Sequence, residues 1–389
     1  TVRALRGTIA VRGADLHFEG VELRTARSAL AVSGVIERYA ERPELALRVR
    51  SERFSLPEFA PVVPALDGRP LEPRFDVRLD GPLDRLGVTA GAAAEEMTLA
   101  ADLTLDLTGP MRALRGDARV TALDLAPVVA DPRFASRITG RAGFALVLPP
   151  GGLETLRGTW SFRGPEVRLA GYEARDVDAS GRIERGRIFF DGRAAAYGAQ
   201  ATAKGVLAPP RGGRPLALDV AGRLAGADLR RLPPALRVPP LATDLAGAYR
   251  LRIDGRSIVG ESTLDRSVVE GAVFAAGTVA RIESRPGRLG YFAAGAVEGL
   301  DLARLGRALD IEALAAERFR SRLDGRFVAG EEGRLPEGHR ASGRVGRDED
   351  PELAHRRGRQ AAHQGEARSE GDRNGRRATV CPACCAVWQ

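Results

Sequence analysis

Pro215-Leu-Ala-Leu-Asp-Val-Ala-Gly-Arg-Leu224 sets Leu216, Leu218 and Val220 in alternation with Ala217, Asp219 and Ala221. A period of two marks a strand with one buried face. Gly226-Ala-Asp-Leu-Arg-Arg-Leu232 follows, an Asp-led piece long enough for about one helical turn. The crossing Leu232-Pro-Pro-Ala-Leu-Arg-Val-Pro-Pro-Leu241 cannot extend that turn. Ala248-Tyr-Arg-Leu-Arg-Ile-Asp-Gly255 then alternates again, with Tyr249, Leu251 and Ile253 opposite Arg250, Arg252 and Asp254. The unit has one apolar face, one charged face and a turn after each strand.

The same unit reads outward in both directions. Leu45, Leu47 and Val49 alternate with charged residues, as do Phe75, Val77 and Leu79, and Leu103, Leu105 and Leu107. Phe144, Leu146 and Leu148 repeat the pattern after Arg141. Beyond the Pro149-Pro-Gly-Gly152 break, Trp160 and Phe162, Val167 and Leu169, and Ile188 and Phe190 mark strands with no helical connector between them. Four Leu-bearing connectors align on Leu56, Leu125, Leu229 and Leu302 and are read as an imperfect internal repeat. The boundaries expected from these breaks are β-repeats over 1–152, β-repeats over 153–330, and a tail over 331–389. Glu331 to Arg377 is Arg, Glu, Gly, Asp and His with almost no apolar residue, which predicts disorder. The abrupt change, ending in Cys381-Pro-Ala-Cys-Cys-Ala-Val-Trp-Gln389, reads as GC-rich DNA translated out of frame.

Apolar residues make up 44% of the 389-residue chain and aromatics only 5%, so burial must come from Leu, Val and Ala. The net charge of +8 is almost all Arg, because Lys204 is the sole lysine. Those charges are interleaved with Asp and Glu along the strands rather than gathered, which argues against nucleic acid as a partner. No run approaches the roughly 18–20 apolar residues that cross a bilayer. The chain starts at Thr1, and it is read as a piece of a longer protein whose targeting segment lies elsewhere.

Catalytic, metal and cofactor sites are not expected. Cys381, Cys384 and Cys385 give one C-x-x-C without a second pair. Asp176-Val-Asp-Ala-Ser-Gly181 opens like a calcium loop, but its twelfth position is Arg187 where a bidentate Glu is required. His17 is the only histidine before the tail and alternates with Leu16 and Phe18 in a strand pattern. No phosphate-cradling G-x-x-x-x-G-K-[ST] is present.

On the order of twenty strands, about 4.8 Å apart, would extend roughly 100 Å if stacked in series. Their apolar faces close against a second sheet, or they curl into an open trough that demands an apolar ligand. Three strings carry a resemblance here: Phe75-Asp-Val-Arg-Leu-Asp-Gly-Pro-Leu-Asp-Arg-Leu86, Ala122-Leu-Asp-Leu-Ala-Pro127 and Ala196-Tyr-Gly-Ala-Gln-Ala-Thr-Ala-Lys-Gly-Val-Leu207. Together with Gly226 to Leu232, they make residues 3–330 resemble the AsmA-like superfamily of Gram-negative envelope proteins, its TamB-like members in particular.

The resemblance implies an all-β fold, an elongated array of short antiparallel strands curled into an open β-groove with short helical connectors. It implies a periplasmic protein, anchored in the inner membrane by a segment absent from this sequence, that carries phospholipid toward the outer membrane. An outer-membrane partner of the Omp85 type and a role in assembling outer-membrane β-barrels belong to the same expectation. A passive spacer is the remaining alternative. The lipid-binding wall is expected from Leu45, Leu47, Val49, Phe75, Val77, Leu79, Leu103, Leu105, Leu107, Phe144, Leu146, Leu148, Leu216, Leu218, Val220, Tyr249, Leu251 and Ile253.

Overall fold

The computed structural model describes residues 2–61, 66–211, 213–236 and 238–330, so the tail expected to be disordered and frame-shifted lies outside the described residues. Strands β1 (Ala4–Arg12), β2 (Asp15–Arg24), β3 (Ala29–Glu37) and β4 (Glu44–Arg53) lead into the short helix α1 (Leu56–Phe59). Strands β5 (Arg74–Pro82), β6 (Leu86–Ala94), β7 (Met97–Asp106) and β8 (Arg112–Leu123) lead into α2 (Ala126–Val129). Six strands follow: β9 (Ser136–Leu148), β10 (Arg157–Leu169), β11 (Tyr172–Glu184), β12 (Arg187–Ala196), β13 (Ala199–Ala208) and β14 (Ala217–Ala227). A 3-10 turn at Leu229–Arg231 ends that run. The last group is β15 (Thr243–Asp254), β16 (Ser257–Leu264), β17 (Ser267–Val269), β18 (Ala272–Phe274), β19 (Val279–Arg285) and β20 (Arg288–Leu300). Helices α3 (Leu302–Ala308) and α4 (Glu312–Ala315) precede β21 (Leu323–Gly330).

All of these strands belong to one antiparallel sheet. Each strand from β1 to β15 pairs with the next in sequence. The order then runs β16, β19, β20, β21, while the hairpin β17–β18 sits alongside, β17 on β15 and β18 on β20. Two crossings of the sheet are therefore made by strands broken in the middle, β16 with β17 and β18 with β19. The meander is nearest-neighbour throughout and runs across position 152/153 without a break, since β9 and β10 pair along their length.

Alternating direction puts α1, α2, the Leu229–Arg231 turn and α3 at one rim, because each follows a strand running the same way. The opposite rim carries the longer β9–β10 and β13–β14 connections and the two-residue β11–β12 turn. The sheet is curled, and its bends have local causes. Register shifts at Phe18/Val21, Val120/Leu123, Arg175/Asp178, Leu224/Ala227 and Val297/Leu300 each contain a residue at positive φ. Such bulges bend a strand and raise its twist.

Three of the four aligned connectors share one hydrogen-bonded design. Asp124, Asp228 and Asp301 each accept from the N–H two residues on, at 3.0, 3.1 and 3.0 Å. The following N–H, that of Leu125, Leu229 or Leu302, donates to a hydroxyl at the head of the next strand: Ser136, Thr243 or Ser321. That hydroxyl donates in turn to the last carbonyl of the preceding strand, at Leu123, Ala227 or Leu300. Every member of the chain satisfies a backbone group that the bulge and turn would otherwise strand. The Leu56 connector departs from it. Ser55 stands where the others have Asp, Leu56 N–H donates to the Leu71 carbonyl, and Glu58 ties α1 back to Thr25, Arg27 and Ser28.

Two residues before each Asp the chain enters the left-handed region, at Ala122 (φ 49°), Gly226 (φ 73°) and Gly299 (φ 68°). A Cβ on Gly299 would meet nothing within 4 Å, so only backbone strain opposes a side chain there. Gly299→Ala is expected to lower the unfolding free energy by about 1 kcal/mol, read from urea denaturation. An unchanged midpoint would show that this position tolerates left-handed alanine freely.

Candidate functional site

Register alone carries one apolar face across the sheet. A single row of cross-strand partners runs Ile9, Phe18, Gly34, Leu47, Leu79, Val88, Leu103, Gly116 and Phe144. It continues through Trp160, Gly181, Phe190, Gly205, Val220, Leu251, Gly260 and Ile282. No polar side chain interrupts it. Directly opposed residues point to the same face of a sheet, so these seventeen positions, one from each of β1–β16 and one from β19, form one stripe.

Two further stripes flank it. Toward the turn rim run Leu86, Leu105, Leu114, Leu146, Gly158, Ile183, Ile188, Leu207, Leu218, Ile253 and Ile258. Toward the helical rim the stripe narrows to Val49, Val77, Ala90, Ala101, Ala118, Ala142, Phe162, Ala179, Gly192, Ala203, Gly222 and Tyr249. The face is therefore lined by large Leu and Ile on one side and mostly by Ala and Gly on the other.

Every strand-borne residue expected on the wall sits on this face, including Leu148 at the end of β9, where its cross-strand partner is Arg112. Phe75 opposes Ser51 and Ala92 on the same face, and Leu45 opposes Ile36. Leu107 and Leu216 lie just outside β7 and β14 and are 41% and 39% exposed. The sequence reading left out Val88, Leu86, Leu114, Trp160, Phe162, Ile183 and Phe190 from the wall, although Trp160, Phe162 and Phe190 already showed the period of two.

Burial distinguishes an open face from a core. Among the three stripes only Leu86, Val88, Ala101 and Val220 are buried, at 3–8% exposure; Ile9 and Ile258 are exposed, and the rest are half-buried. A sheet packed face to face on another would bury most of them fully. Among the described residues no second layer covers this face.

The aromatic side chains on the face lie against glycines of neighbouring strands. Tyr249 crosses Gly222, and its hydroxyl donates to the Thr202 carbonyl at 3.0 Å. Burial raises the Tyr249 pKa, so the phenol stays neutral beside its apolar neighbours. Trp160 and Phe190 both oppose Gly181. The opposite face is charged and paired across strands: Arg48 with Asp76, Arg250 and Arg252 with Asp219, and Arg163 and Arg193 with Asp178. Exposed pairs of this kind contribute little stability, about 0–1 kcal/mol each, and serve chiefly to keep that face in water.

At the helical rim Asp228 is held down to about 2. The Arg230 guanidinium does most of this through a bidentate contact at 3.0 and 2.8 Å, burial works against it, and the N–H groups of Arg230 and Thr243 add to it. A carboxyl with a folded pKa below its unfolded value stabilises the fold above the unfolded value near 3.8 and loses that contribution as pH falls toward 2. Thermal melts of Asp228→Asn and the unaltered chain are therefore expected to differ at pH 6 and to converge as the pH approaches 2. A constant gap across that window would show that the Asp228 charge contributes nothing.

Asp176 to Gly181, the calcium-like string, lies inside β11, with Asp176 at a bulge. His17 opposes Ala10 and Val35 within β2. No family model matches this chain, and no curated protein or solved structure matches it either.

Proposed function

We propose that the curled sheet is a conduit for phospholipid in a Gram-negative cell envelope, with acyl chains lying along the three apolar stripes and head groups at the rim. One observation carries this reading: the central stripe passes from Ile9 to Ile282 without a polar side chain and without a second layer over it. Two acyl chains with about 30 methylenes cost roughly 24 kcal/mol in water at about 0.8 kcal/mol each. A Leu- and Val-lined face removes most of that cost at every strand, so no step along the path is a deep trap. Against a bilayer, which offers the same apolar surroundings, the exchange is close to neutral, and a lipid can leave as readily as it enters.

The resemblance to AsmA-like proteins adds the setting: the periplasm, an inner-membrane anchor outside this sequence and an Omp85-type partner. No helix among the described residues is long and apolar enough to cross a membrane. Mass spectrometry of the purified chain tests the reading. Co-purifying phospholipid is expected. Bound peptide would favour a chaperone for outer-membrane β-barrel proteins instead, and an empty protein would favour a passive spacer.

A further inference from the structure

At the turn rim, between the β9–β10 turn and the β13–β14 loop, lies a recess of about 720 Å³. Its walls carry Arg157, Arg185, Arg211 and Arg214 against Glu154 and Glu184. Glu184 already lies 3.7 Å from Arg182, outside this group. Among the described residues none of the four arginines forms an ion pair. The recess therefore sets four guanidinium groups against two carboxylates.

The local backbone builds this arrangement. Arg185 and Gly186 form the two-residue β11–β12 turn, both at positive φ (50° and 70°). The Arg211 guanidinium rests on Gly186 where any Cβ would collide with it. Arg211 and Arg214 are clamped by a reciprocal pair of backbone hydrogen bonds, 3.1 and 2.7 Å, which fixes the base of their loop. Guanidinium groups fan into planar forks that match phosphate oxygens two at a time. The stripe of Ile183, Ile188, Leu207 and Leu218 reaches the rim on the same strands.

We propose that this recess binds a phosphate ester, the head-group phosphate of a lipid whose chains lie on the apolar face; the lipid part of this rests on the conduit reading. The site recognises a phosphate anion through Arg185, Arg211 and Arg214, and the apolar stripe beside it supplies the chain contacts.

Binding to the full chain is measured by calorimetry with three probes: dioctanoyl phosphatidic acid below its micellar concentration, dioctanoylglycerol, and inorganic phosphate. Circular dichroism confirms the fold of R211E/R214E, and R211Q/R214Q serves as the milder variant. The charge-reversed protein is expected to bind phosphatidic acid at least about tenfold more weakly and dioctanoylglycerol unchanged. If neither lipid binds the unaltered chain but inorganic phosphate does, and R211E/R214E abolishes it, the recess stands as a site for free phosphate and the conduit reading falls. If both variants bind every phosphate probe as the unaltered chain does, or the unaltered chain binds none, the recess is not an anion site.

Discussion

Leu251→Asp is expected to abolish acyl-chain passage while leaving the sheet folded. Leu251 sits in the central stripe between Val220 and Gly260 and is half-buried, so the substitution deletes an apolar contact rather than opening a closed core. The stability loss should be modest, about 1–2 kcal/mol for the apolar area given up. The effect on a lipid is much larger. A carboxylate against an acyl chain must keep its water or take up a proton, and either way the continuous apolar path is broken. A penalty of at least about 3 kcal/mol corresponds to a loss of more than roughly a hundredfold in binding at that strand. Leu218→Asp, one stripe nearer the turn rim, should behave alike. Ala145→Asp is the control, because Ala145 is exposed on the opposite face beside Arg115 and Thr159. Transfer of a fluorescent phospholipid between vesicles reads all three, and undiminished transfer by folded Leu251→Asp would remove that strand from the path.

Gly222→Ala attacks the wall from its backbone. A Cβ at this position would fall far inside van der Waals contact with the Thr202 carbonyl and 3.0 Å from the Tyr249 hydroxyl. Tyr249 already occupies the space above Gly222 and is held there by its bond to Thr202. Neither neighbour can yield cheaply, since one is backbone in a paired strand and the other is an aromatic ring in contact with it. A loss of about 1–3 kcal/mol is expected, toward the upper end, read as a shift of the urea midpoint at constant slope. An unchanged midpoint would mean that β13 and β14 separate more easily here than their register implies.

Strands with strong alternation were legible from the residues. Leu45 to Val49, Phe75 to Leu79, Leu216 to Val220 and Tyr249 to Ile253 show their two faces in the sequence, and β4, β5, β14 and β15 follow them. The connectors were legible as Asp-Leu strings, but not the hydroxyl at the head of the next strand that completes each one, because Ser136, Thr243 and Ser321 lie at different distances from their Asp. Strand β6 was missed: Gly87-Val-Thr-Ala-Gly-Ala-Ala-Ala94 has too little side chain to show a period. Strand β16 and the broken strands from β17 to β19 were missed for a related reason. Glycine takes the wall position at Gly260, and the interruptions at Asp265 and Ala275 cut the pattern below the length at which alternation can be read. Register was the part no single strand could reveal. That Gly34, Gly116, Gly181, Gly205 and Gly260 fall in one line with Leu47, Phe144, Trp160 and Leu251 depends on each hairpin's turn, and only the paired sheet displays it.

Trp160 lies within the central stripe, and the only other tryptophan is Trp388. With Trp388 replaced by Phe, tryptophan fluorescence of the chain comes from the apolar face alone. Phospholipid brominated along its acyl chains should quench Trp160 strongly, whereas the same lipid brominated nowhere should not. Quenching that is absent at saturating brominated lipid, in a chain that remains folded, would mean that acyl chains do not lie on this face.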